Sequence, residues 1–172
     1  MNLLDRLFSA LPSVRAWDIQ VPGFIDREGT YPRFTPLSSS VYVVLEEGFL
    51  RLDSVGNYGQ LAMRLVAEVE VPEALKGEDE EFSLGSISEQ FLADAYSSFR
   101  ITRVRWATDA DSDDSVGAVR CAEFEFEGAW ALFADPAWHF GRRLQGAGAF
   151  DHWLTEMREG SHEVQVFSWT GE

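Results

Sequence analysis

Residues 61–71 read Leu-Ala-Met-Arg-Leu-Val-Ala-Glu-Val-Glu-Val, with Pro72 next. Leu61, Met63, Leu65, Ala67, Val69 and Val71 share one face of an extended chain; Ala62, Arg64, Val66, Glu68 and Glu70 share the other. Side chains of a strand point alternately to opposite faces, so this period of two predicts a half-buried antiparallel strand ended by Pro72. Residues 116–127 repeat the pattern, with Ala122, Phe124 and Phe126 opposing Glu123, Glu125 and Glu127.

Shorter strands surround these two. Residues 41–45 and 49–53 flank Glu46-Glu47-Gly48 as a hairpin, and Gly56-Asn57-Tyr58-Gly59 turns the chain into the run at 61. Strands are also predicted over 15–21, 99–106, 129–134 (closed by Asp135-Pro136) and 164–169. The rest of 13–40, with Pro22, Gly23, Gly29, Pro32 and Pro36, reads as a loop-rich arm, and 137–148 as an ordered loop.

Three helices are expected. Leu3, Leu4, Leu7, Phe8 and Leu11 form an apolar stripe after the N-cap Asn2, and Pro12 ends it. Ser86-Ile87-Ser88-Glu89 matches a capping box that opens a short middle helix carrying Phe91 and Leu92. Phe150, Trp153, Leu154 and Met157 recur at i, i+3, i+4 and i+7, and Gly160 follows. Runs of strands with helices at the ends and one in the middle define an α+β class: an antiparallel sheet of about six to eight strands with an N-terminal, a middle and a C-terminal helix packed on it.

The chain has 172 residues, 45% apolar and 13% aromatic, with no internal repeat or linker, so a single domain over residues 1–172 is expected. The opening Met-Asn-Leu-Leu-Asp-Arg-Leu-Phe lacks the basic start of an export signal. No segment approaches the ~20 apolar residues of a membrane span, and the cytoplasm is the expected compartment. Twenty-nine acidic residues against fourteen basic ones leave a net charge of −15. Such a surface repels nucleic acid and anionic lipid and speeds the encounter with a basic protein.

No constellation of residues specifies a reaction. In 109–114 the calcium-loop pattern fails, because Asp114 holds the glycine position and Arg120 the place of the bidentate Glu. His139, His152 and His162 show no metal-ligand spacing. Cys121, the single cysteine, sits in an apolar run beside Glu123 and Glu125, which favours a buried, unreactive thiol. Ser86 lacks a nucleophile-elbow frame and reads as a cap, and Lys76 is the only lysine. Glu123, Glu125 and Glu127 lie near 7 Å apart along one strand face, a spacing open to acid–base work, to a solvated face or to a negatively charged docking strip, the last being favoured. Arg103, Arg105 and Arg120 are expected to pair with carboxylates across strands. No metal and no cofactor are expected.

The turn Gly56-Asn57-Tyr58-Gly59-Gln60, the strand Phe124-Glu125-Phe126-Glu127 and the stretch 130–141 with Asp135-Pro136-Ala137-Trp138 give the chain a layout that resembles bacterial toxin-immunity proteins. That resemblance implies a non-enzymatic module that neutralises a cognate toxin, often a basic nuclease, by covering its active site. Charge clustering nominates Glu78, Asp79, Glu80, Glu81, Asp109, Asp111, Asp113, Asp114, Glu123 and Glu125 as contacts with a basic partner protein, together with Trp138 as an aromatic anchor. Two other classes stand beside it. One is a small-ligand-binding protein or hydrolase with an aromatic-lined pocket; the other is an effector chaperone or adaptor.

Overall fold

The structure is a computed structural model that describes residues 2–37, 39–57, 59–76, 81–138 and 141–171, with the backbone alone at 74, 138, 141 and 142. Its elements are α1 (Leu3–Ala10), β1 (Arg15–Asp26), β2 (Arg33–Pro36), β3 (Ser40–Leu45), β4 (Phe49–Val55), β5 (Gln60–Val66), β6 (Glu81–Ser86), β7 (Phe99–Thr108), β8 (Ala118–Val119), β9 (Cys121–Phe126), β10 (Trp130–Trp138), β11 (Gly141–Gln145), α2 (Ala149–Glu159) and β12 (Gln165–Thr170). All twelve strands belong to one antiparallel sheet system.

The pairings close a ring. β7 pairs β1, β1 pairs β3, and β3, β4 and β5 follow as a meander. β5 pairs β8, which passes through Arg120 into β9, and β9 returns to β7. The two seams are short: Arg15↔Arg100 with Ala16↔Phe99, and Leu61↔Val119 with Ala62↔Ala118. Alternation then sorts the side chains. Val41, Val43, Leu50, Leu52, Leu61, Met63, Val104, Phe124 and Phe126 point inward with Leu4 and Leu7 of α1 and Leu11 just after it, and each is at most 3% exposed. A second core lies outside the ring, where α2 seats Phe150 and Trp153 on Ala107, Cys121 and Phe133.

The class is therefore mainly β, not α+β, and among the described residues the sheet has twelve strands, not six to eight. The expected N-terminal and C-terminal helices form as α1 and α2, and Asn2 makes a full capping box with Asp5. The expected middle helix does not. Ser86 ends β6, and residues Ser88–Gln90 make only a 3-10 turn. The hydroxyls of Ser86 and Ser88 donate to the Asp18 carboxylate on β1, joined there by Gln20 Nε2 at 2.7 Å and the Ile19 N–H at 2.8 Å. Bonds to an ionised carboxylate are stronger than the neutral bonds of a serine cap, so half-buried Asp18 takes both serines.

Other corrections follow the ladders. The arm at 13–40 holds β1 and β2, and the loop at 137–148 holds β11. The run at 61–71 is strand only to Val66; beyond it the chain folds back over β4. The run at 116–127 breaks at Arg120, where the Arg120 N–H donates to the Ala107 carbonyl and the chain leaves β5 for β7.

Beyond Gln20, β1 changes neighbours and runs out between β2 and β6. Phe34 of β2 lies across two glycines: a Cβ at Gly23 or at Gly85 would meet its ring at 2.6 Å. The aromatic ring fills what two side chains would have filled. Gly85→Ala is expected to destabilise the protein by about 2 kcal/mol through overpacking, and combining it with Phe34→Ala should recover part of that loss. Urea denaturation of the single and double variants measures both.

Candidate partner-binding surface

Opposite charges meet in register on the outer face of β7 and β9. Arg103 pairs Glu125 in a two-bonded contact, and Arg105 reaches Glu123 at 2.7 Å. Glu127, at the end of the row, takes Arg15 at 3.0 Å and the Arg100 N–H at 2.9 Å. Glu123 is 1% exposed; burial pushes its carboxyl above the ordinary value, against the pull of Arg105. The expected cross-strand pairs are thus present, and the row of three glutamates is a paired face.

The same arginines hold α2. Arg105 reaches Asp151 at 2.7 Å and lies 4.6 Å over the Phe150 ring. Asp135, 4% exposed, accepts from Arg120 at 2.8 Å and Arg143 at 3.3 Å; Arg120 stands 5.4 Å over Trp153. Guanidinium planes suit this double role, because they stack on rings while bonding carboxylates at their edges.

A third group lies under the returning strap at 67–76. Asp53 is 5% exposed and accepts from Ser40 Oγ at 2.7 Å, Arg51 Nε at 2.8 Å and Arg64 at 2.6 Å. Burial would raise its pKa, but these three donors outweigh burial and leave it below the ordinary value. Arg51 also holds Glu70 of the strap at 2.6 Å. The cavity here, about 360 Å³, is walled by Tyr42, Arg51, Asp53, Arg64, Glu70 and Lys76. Its carboxylates are held ionised by arginine, and its charges answer one another, so the group works as a lock for the strap.

Among the described residues, every basic side chain except Arg6 and Arg158 is in ion-pair contact with a carboxylate of the same chain. Of the carboxylates left over, Asp18 is half-buried and held by hydroxyl and amide donors, and most of the rest are exposed. Asp111, Asp113 and Asp114 are exposed and make no ion pair with a described residue; neither do Glu46, Glu47 and Glu68. The loop carrying the first three is well braced. Asp109 accepts from Gln60 Nε2 at 2.9 Å and the Asp111 N–H at 3.0 Å, and Asp113 accepts from Ser115 Oγ at 2.6 Å and N–H at 2.9 Å.

The nominated contacts occupy separate elements. Glu81 opens β6 and pairs Arg27; Asp109, Asp111, Asp113 and Asp114 form the braced loop; Glu123 and Glu125 lie beside α2. Glu78, Asp79 and Glu80 lie outside the described residues, as does the side chain of Trp138. No three His, Cys, Asp or Glu side chains gather to hold a metal among the described residues. Cys121 is fully buried, and burial, rather than the neighbouring glutamates, drives its thiol well above the ordinary value. His152 is on the surface of α2, 3.3 Å from Glu156. No helix among the described residues is long and apolar enough to cross a membrane. No protein-family model, curated protein or solved structure matches the chain.

The strap lock went unseen in the sequence, where Asp53 is one acid at the end of a strand. Replacing Asp53 with Ala removes the buried acceptor shared by Arg51, Arg64 and Ser40, leaves Arg51 with Glu70 alone, and should cost about 3 kcal/mol at pH 7. A carboxyl whose folded pKa is depressed stabilises the fold above its ordinary value of 3.8 and loses that contribution as pH falls below it. Thermal melts from pH 7 to pH 3 should show the wild type approaching the Asp53→Ala variant in stability at the acid end.

Proposed function

We propose that the chain is a non-enzymatic protein-binding module that neutralises a basic partner protein, the role of an immunity protein against a toxin domain such as a basic nuclease. The observation that carries this reading is the distribution of charge. The cations face the protein's own carboxylates, while the surplus acids stand outward on braced turns. A net charge of −15 with its positive members compensated presents a negative field to an approaching molecule.

Such a field raises the rate of encounter, and exposed aromatic side chains supply contacts that persist once water is excluded. Asp111, Asp113 and Asp114 fit the first task, held by bonds that leave little ordering to be done on binding. Tyr96 and Tyr31, 93% and 81% exposed, fit the second. Glu123 serves the α2 clamp through Arg105, Glu125 is paired with Arg103, and both contribute through the shape of that face. In this reading the protein acts in the cytoplasm and covers the partner's active site.

Affinity capture from the native host with the intact chain, followed by stopped-flow association, tests the reading. The captured partner is expected to be basic and inactive in the complex, with an association rate that falls at least tenfold between about 50 and 500 mM salt. Replacing Asp111 and Asp114 with Ser should slow association at low salt by roughly threefold and flatten the salt dependence. A partner that stays active in the complex points to an adaptor instead. A neutral or acidic partner, or an unchanged on-rate, overturns the assignment.

A further inference from the structure

β12 is bonded on one edge only. It pairs with β7 from Gln165↔Thr108 to Thr170↔Arg103 and, among the described residues, with no other strand. The Gly171 N–H donates to the Thr102 carbonyl at 3.0 Å, and this phase carries along the ladder to Trp169↔Val104 and Phe167↔Trp106. Main-chain groups of alternate residues point to opposite edges, so Val166, Ser168 and Thr170 direct their N–H and C=O groups away from β7.

An edge of this kind is normally guarded by charge, proline or a bulge. The other strands paired on one side are guarded or covered: β2 has Arg33 and Pro36, β6 begins at Glu81, β11 contains Arg142 and Arg143, and the two-residue β8 is met by the Asp113–Ala118 bridge. β12 reads Gln-Val-Phe-Ser-Trp-Thr, with no charge, no proline and no glycine. Val166 is 45% exposed and Phe167 40%. Phe167 stacks on Trp106 at 5.7 Å, and Trp106 stacks on Phe8 at 4.6 Å, so an aromatic array ends at the open edge.

We propose that this edge pairs with a second copy of the chain, β12 against β12, antiparallel about a twofold axis between the two Ser168 residues. The outward-pointing groups set the phase, and full overlap of the two strands then sets the register: Ser168 meets Ser168, and Val166 meets Thr170. Phe167 of one copy then faces Trp169 of the other on the side of the Phe8–Trp106 array, a cross-strand aromatic pair that adds to the main-chain bonds. Charge selects the occupant. Two molecules of net charge −15 repel wherever their acids meet, and β12 is a strip on which they meet without carboxylates. A basic partner finds no carboxylate to pair with on this strand. This inference stands apart from the partner reading above, and the two respond to salt with opposite sign: screening strengthens self-pairing of like-charged copies and weakens a complex of opposite charges.

Sedimentation velocity of the intact chain from about 1 to 300 µM should show a mass rising from one chain towards two, with the dissociation constant falling at higher salt. Ser168→Glu and Ser168→Lys each place like charges across the axis and should each raise that constant at least tenfold. An equimolar mixture of the two should restore dimers. Val166→Lys gives a second disruption at the same edge, and far-UV circular dichroism checks that each variant is folded. A single-chain mass throughout the range overturns the proposal. So does a dimer indifferent to all three substitutions, or a mixture that fails to pair.

Discussion

Pairing of arginine with carboxylate across neighbouring strands is the interaction on which the rest of this protein depends. A helix can cover the outer face of β7 and β9 only if the charges there cancel, because an unpaired buried ion costs several kcal/mol. Arg105 bridges Glu123 of the sheet to Asp151 of α2, and Asp135 gathers Arg120 and Arg143 at the other flank. On the far side of the ring Asp53 joins Arg51 and Arg64, and Arg51 extends the network to the strap through Glu70. Coverage of both outer faces therefore rests on ion pairs as much as on apolar contact.

The compensation has a consequence for the surface. Fourteen basic residues oppose twenty-nine acidic ones, and the described cations are almost all engaged by the protein's own acids. What remains outward is negative, on turns such as 109–114 that are braced by side-chain hydrogen bonds. One strand departs from this rule. β12 carries no charge, and its free edge is where the sheet continues without electrostatic penalty.

Much of this was legible in the sequence. The β3–β4 hairpin, the core face of β9 and the stripe of α2 follow from periodicity, and each is local. The misreadings have distant causes. Ser86 and Ser88 look like the start of a helix, yet their hydroxyls belong to Asp18, some seventy positions earlier. The alternation at 61–71 outlasts its strand because Glu70 is drawn to Arg51. Glu123, Glu125 and Glu127 give the same pattern whether solvated or paired, and only the register with β7 shows that Arg105 and Arg103 face the first two. The ring was invisible for a similar reason: its seams are two residue pairs each, and one lies at a break inside what reads as a single strand.

Mapping the near-surface potential tests the central claim most directly. Amide relaxation enhancement by a cationic and an anionic nitroxide, compared residue by residue, reports the sign of the local field. The account predicts strong enrichment of the cation around Asp111, Asp113, Asp114 and Ser115, and near-equal effects of the two probes along β7 at Arg103 and Arg105. Preferential attraction of the anionic probe to those arginines, or a neutral field around the 109–114 loop, would contradict it.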